Sequence, residues 1–182
     1  MEPFDSFIIW IADFLGGHLY EGIFLAALLE TIVPPIPTLA VFPTAGFLAS
    51  QQGITLLGLV PMILLGGLGA TIGTTVLYLI ALKLGRLVLL RYLRFVKVND
   101  KKLERVEIWF EKYGDKAVFL GRMVPVMREM ISIPAGLLKM KIPKFVLYTF
   151  GGSCVWATGT ILSGYYFGAA IGLSTSAITP LP

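Results

Sequence analysis

Two stretches of this 182-residue chain are apolar without interruption: Ile54–Leu82 and Phe145–Leu173, neither of which carries a charge. About 20 apolar residues span the ~30 Å hydrocarbon core of a bilayer as a helix, so both predict transmembrane helices. Two further apolar stretches are broken by prolines and charges. Residues 22–50 contain Pro34, Pro35, Pro37 and Pro43, and residues 117–138 contain Arg122, Pro125, Arg128, Glu129 and Pro134. An interior proline removes a backbone hydrogen bond and clashes with the preceding turn, at about 3 kcal/mol, so neither stretch reads as one straight helix. Non-helical backbone is tolerated at membrane depth where protein or a water-filled cavity satisfies it, and both stretches are read as re-entrant hairpins. Pro34, Pro35, Pro125, Pro134, Gly46 and Gly136 are the residues expected to break them. Phe4–Leu15, within residues 1–20, predicts an interfacial helix or part of a first crossing, and the acidic flank does not read as a signal peptide.

The two halves match each other. Pro35 precedes Ala45-Gly46 by ten residues and Pro125 precedes Ala135-Gly136 by ten, and each hairpin leads to a glycine-rich helix, G-G-L-G-A-T-I-G-T-T from Gly66 and G-G-S-C-V-W-A-T-G-T from Gly151. The predicted fold is an all-α polytopic membrane domain of two inverted repeats. Each repeat is a re-entrant hairpin followed by a transmembrane helix, and one crossing between the hairpins makes them enter from opposite faces. The glycine runs read as small-residue helix contacts rather than phosphate loops, which would follow a strand. Residues 83–116 join the repeats. Leu103, Val106, Phe110 and Tyr113 recur there at helical spacing, predicting an amphipathic helix that ends at Gly114.

Composition agrees with lipid as the solvent: 56% of residues are hydrophobic and 14% charged, where a soluble domain carries about a quarter charged. One cysteine makes no internal disulfide, and one histidine leaves no zinc cluster. The net charge of +4 is unevenly placed. Residues 1–82 have five acids and no Lys or Arg, whereas residues 83–116 have ten bases against five acids. That bias predicts a multi-pass protein with segment 83–116 on the cytoplasmic side, against anionic lipid, with no role for nucleic acid.

Against this background a few charges stand out. Glu30 is the only charge in residues 22–82. A carboxylate in lipid costs about 2.5–3.5 kcal/mol on insertion scales, which makes Glu30 a functional candidate and a natural group for exchanging a proton. The bland alternative places it at the interface. Arg122 and Arg128 bracket Pro125, and a break between them could turn both guanidiniums toward one cavity. Their rigid forks suit phosphate, so they predict an anionic headgroup or an ion pair to Glu30, with snorkelling at the hairpin mouth as the alternative. Glu129 adjoins Arg128 as a secondary charge. His18, Trp109, Trp156, Tyr165 and Tyr166 fit interfacial or packing positions, and Cys154 fits packing.

Taken together these residues resemble the DedA-type integral membrane proteins, also called the SNARE-associated or VTT-domain group. The similarity runs from about Glu30 to Gly168. It rests most on F-E-K-Y-G-D-K-A-V-F-L-G-R-M-V-P-V-M-R-E-M-I-S-I-P-A-G-L-L-K-M from Phe110, then G-G-S-C-V-W and G-Y-Y-F-G, with E-T-I-V-P-P-I-P and P-T-A-G-F-L-A in the first half. The resemblance implies oppositely oriented re-entrant hairpins and lipid movement across or between leaflets. In bacterial members this means recycling of the polyprenyl-phosphate carrier and processes dependent on the proton motive force; in eukaryotic relatives it means phospholipid scrambling. The family's acid falls on Glu30, and its hairpin arginines fall on Arg122 and Arg128. The chain departs from the family at Leu39, where many members have a second acid, at Val126, where glycine is common, and at Glu129. It also ends ten residues after Gly172, where most members continue into another helix, and so reads as a short member or part of a longer chain.

The expected function is a flippase or transporter of polyprenyl phosphate or phospholipid in the plasma membrane. It needs no cofactor and no metal, and it takes protons or Na+ as coupling ions; a homo-oligomer is left open. A proton-coupled small-ion antiporter and a non-transporting assembly factor are the alternatives. An enzyme acting on lipid phosphates is disfavoured, because such enzymes use several histidines or clustered aspartates that the chain lacks.

Overall fold

A computed structural model describes residues 17–30, 38–95 and 108–178, with side chains left undescribed at Thr38, Val126, Glu129, 84–95 and 171–178. The expectations for residues 1–16 and for Pro34, Pro35 and Pro37 lie outside the described residues. The described chain is all helical. Helix α1 covers Leu19–Glu30 and α2 Thr38–Gln51; a 3-10 turn, Leu56–Gly58, leads into α3, Leu59–Phe95. Three short helices follow, α4 Lys116–Arg122, α5 Pro125–Met130 and α6 Ser132–Leu137, and then α7, Ile142–Ile178. Residues 108–113 are also helical, and Gly114 ends them with φ +55°, its N–H donating to the Phe110 carbonyl at 2.8 Å.

Long helices α3 and α7 form because no proline interrupts them after the first turn, where Pro61 and Pro143 sit at positions with no intrahelical N–H to lose. The apolar run ends at Leu82, but α3 continues to Phe95, since Lys, Arg and Leu are all good helix formers. With the 3-10 turn included, Leu56–Lys83 and Ile142–Ala170, 28 and 29 residues, are long and apolar enough to cross a membrane. At 1.5 Å per residue each spans about 42 Å, more than the ~30 Å hydrocarbon core. On α3 the residues Val60, Leu64, Leu68, Ile72, Val76 and Ile80 recur every fourth position and are exposed, a stripe that lipid would cover.

The proline-rich segments fold around these two helices in a reciprocal way. Helix α1 packs on α3, the long helix that follows it, and α2 packs on α7; α4 packs on α7, the long helix that follows it, and α6 packs on α3. Gly67 of α3 lies against Phe150 and Cys154 of α7, and Leu68 and Thr71 share a groove with Pro143, Val146, Leu147 and Phe150. Residue numbers rise along α3 as they fall along α7, so the two run antiparallel.

Not every expected breaker breaks a helix. Gly46 lies within continuous α2, as does Pro43, and Gly136 lies within α6. Their function is close approach: a Cβ on Gly46 would meet the Ile161 carbonyl, and one on Gly136 would stand 2.6 Å from the Tyr78 carbonyl. The second segment is broken by its prolines. Val124 is extended ahead of Pro125, the first residue of α5, and Pro134 has no N–H to offer the Met130 carbonyl, where α5 ends.

Two apolar clusters result. One gathers Ile23, Val41, Phe42, Met62 and Ile161 from α1, α2, α3 and α7; the other gathers Tyr78, Phe110, Val118, Ile131, Ile133 and Phe145. Tyr78 anchors the second. Its ring stacks on Phe145 with centroids 4.3 Å apart, and its hydroxyl donates to the Met140 carbonyl, both fully inside the protein. Tyr78→Phe removes that donor and leaves the carbonyl unpaired, an expected loss of about 1–2 kcal/mol in reversible unfolding, whereas Tyr78→Ala also leaves a cavity and costs about 3–5 kcal/mol.

Candidate functional site

Between the two apolar clusters lies a belt of buried polar side chains. On α3 it holds Thr71 and Thr74, near the middle of the Leu56–Lys83 span; on α7 it holds Thr149 and Ser153, the latter near the middle of Ile142–Ala170. Arg122 and Arg128 enter from the second proline-rich segment, with only 2% and 4% of their surface exposed.

Arg122 is the last residue of α4 and fits because its neighbour on α7 is Gly152, where a Cβ would come within 2.7 Å of the Arg122 side chain. Its guanidinium donates to the Thr74 hydroxyl, which in turn donates to the Ala70 carbonyl. Arg128 comes from α5, which starts afresh at Pro125 and so points this side chain independently of α4. It donates to the Glu30 carboxylate at 3.0 Å, and the two side chains are 5% and 13% exposed. Its guanidinium also lies over the Trp156 ring, 5.0 Å from the centroid. Glu30 is the last described residue of α1, and Arg128 offsets the cost of burying its carboxylate.

The structure thus brings Glu30 and Arg128 together across 98 residues of chain and sets Arg122 on the adjoining face of α7. Pro125 supplies the break between the arginines. The Glu129 side chain and Pro34 and Pro35 lie outside the described residues. Thr74 and Trp156 belong to the site although the sequence offered packing as their role. The available signal was that Thr71 and Thr74 fall on the buried face of α3, in register with Gly67 and Ala70.

Most threonine hydroxyls of α3 and α7 are satisfied within their own helix. Thr71, Thr74, Thr75, Thr158 and Thr160 each bond the carbonyl four residues back, the usual resting place of a hydroxyl in a helix. Thr149 and Ser153 do not. Their hydroxyls, that of Ser132 and the Trp156 indole N–H are buried with no hydrogen-bond partner among the described residues. Leaving such a group unsatisfied costs about 1–3 kcal/mol, so a polar guest here is worth more than one at the surface.

The VTT domain model matches residues 36–166. The chain belongs to the VTT domain family. As a member, it is a membrane protein of the DedA type. It is 30% identical over 167 residues to undecaprenyl phosphate transporter A of Staphylococcus aureus, covering 90% of this chain and 81% of that protein. It is 32% identical over 164 residues to undecaprenyl phosphate transporter A of Bacillus subtilis, covering 90% and 79%. A Lactococcus lactis relative, 32% identical over 142 residues, carries the name alkaline phosphatase-like protein; the match covers 75% of this chain and 65% of that relative, just under two thirds of its length. The Staphylococcus aureus and Bacillus subtilis relatives are named as transporters rather than as enzymes. No solved structure matches the chain.

Proposed function

We propose that this protein is a transporter of a phosphate-bearing lipid, with the phosphate held by Arg122 and Arg128 midway between the ends of α3 and α7. The observation that carries this is the buried Arg128–Glu30 pair beside Arg122. The planar forks of the two guanidiniums suit the oxygens of a phosphate monoester. Glu30 then acts as the internal anion that Arg128 exchanges for the headgroup; once released, its carboxylate can take up a proton, which couples the exchange to the proton motive force. The undecaprenyl phosphate named for the two relatives is the lipid of choice.

We further propose that the two proline-rich segments are oppositely oriented re-entrant hairpins. The antiparallel course of α3 and α7 and the reciprocal packing of the segments on them support this reading. So does the charge at the ends. Lys83 at one end of the α3 span, Lys139, Lys141 and Lys144 at the start of α7, and Lys112 and Lys116 before and in α4 are all exposed, which favours that end as the cytoplasmic one.

The test is translocation in proteoliposomes. The wild type is expected to move polyprenyl phosphate across the bilayer faster than protein-free vesicles, and Glu30→Gln and Arg128→Ala to lose that activity. Unchanged transport in both variants would overturn the site, and cation-driven pH changes without lipid movement would assign the site to ion exchange.

A further inference from the structure

Thr149, Ser153 and Trp156 follow one another at i, i+4 and i+7 on α7, a single narrow stripe of the helix. The stripe adjoins both arginines: Gly152, next to Ser153, touches the Arg122 side chain, and the Trp156 ring lies under the Arg128 guanidinium. Thr149 is fully buried and Ser153 4% exposed, yet neither hydroxyl takes the carbonyl four residues back that Thr158 and Thr160 of the same helix take. The indole N–H of Trp156 can only donate, and it too has no hydrogen-bond partner among the described residues. Two hydroxyls and an indole N–H without partners among the described residues, on a stripe that packs against the Arg122 stem and under the Arg128 guanidinium, form a surface able to donate to an oxyanion.

We propose that Thr149, Ser153 and Trp156 are the neutral half of an oxyanion cradle whose charged half is Arg122 and Arg128, and that the cradle takes the tetrahedral headgroup of a phosphate monoester. The arginines supply charge and the α7 stripe supplies the remaining hydrogen bonds. This deepens the lipid-phosphate reading above and rests on it. A headgroup seated there is held without water, and it bridges α4, α5 and α7.

The experiment uses the full chain in nanodiscs, with Trp10→Phe and Trp109→Phe so that Trp156 is the sole indole. Polyprenyl phosphate is expected to change its emission saturably, and neutral polyprenol to leave it unchanged. Thr149→Val and Ser153→Ala each weaken binding about tenfold, the value of a hydrogen bond to a charged group, while Thr149→Ser, which keeps the hydroxyl, binds as the parent does. Both weakening variants should unfold at the parental temperature or higher, because each removes a buried hydroxyl that has no partner of its own. Parental affinity in Thr149→Val and Ser153→Ala overturns the cradle, as does a loss of stability that runs parallel to the loss of binding. A response to inorganic phosphate but not to polyprenyl phosphate, still sensitive to Thr149→Val, upholds the cradle and overturns the lipid reading instead.

Discussion

Arg128→Gln is expected to abolish lipid-phosphate transport and to destabilise the protein by about 3–5 kcal/mol, because it leaves the Glu30 carboxylate buried without its 3.0 Å partner. Glu30→Gln should cost a similar amount for the mirror reason, with a guanidinium left over the Trp156 ring. Glu30→Gln/Arg128→Gln removes both charges together. Two neutral amides can bond each other, and a buried pair replaced as a unit is often neutral in stability, so the double variant should recover most of the lost stability and none of the transport. That divergence separates folding from function. Arg128→Lys is a finer probe: it keeps the charge but loses the planar fork and its stacking on Trp156, so it should fold well and transport poorly. Reversible unfolding of the four proteins gives the coupling energy directly; additive losses in the double variant would mean that Glu30 and Arg128 do not act as a pair.

How far the sequence could reach is clearest at this pair. Glu30, Arg122 and Arg128 were visible as candidates because a charge in an apolar segment is expensive wherever the segment folds. Their pairing was legible only as one of two alternatives, and which arginine meets Glu30 was not, since the contact between Arg128 and Glu30 spans 98 residues and depends on where α5 restarts. The long helices were legible from uninterrupted apolar runs, but the continuation of α3 past Leu82 to Phe95 was not, because hydropathy marks where a helix could leave lipid and not where it stops being a helix. Gly46 was misread for a related reason. A glycine in a proline-rich segment signals either a bend or a close approach, and only the position of Ile161 on another helix decides between them. The hydroxyls of Thr149 and Ser153 carried the weakest signal of all. In a glycine-rich helix they look like small residues for packing, and their distinction lies in a hydrogen bond they do not make.

The contact between α2 and α7 supports the second large prediction. A methyl group on Gly46 would overlap the Ile161 carbonyl, and one on Gly164 would overlap the Pro43 carbonyl. In each case the obstacle is the backbone of a helix, which cannot rotate aside as a side chain does, so the helices must separate along their length. Gly46→Ala and Gly164→Ala are each expected to cost about 3 kcal/mol or more, at or above the upper end of ordinary overpacking. Gly159, on the same helix as Gly164, has nothing within 4 Å of a Cβ, and there alanine should stabilise by up to about 1 kcal/mol through helix propensity alone. The two costly sites face one another across a single interface. Once the first methyl has parted the helices, the second meets less resistance, so Gly46→Ala/Gly164→Ala should lose clearly less than the sum of the single losses. Unfolding measurements on the four variants check this. If Gly46→Ala is as well tolerated as Gly159→Ala, the backbones of α2 and α7 do not meet at this point.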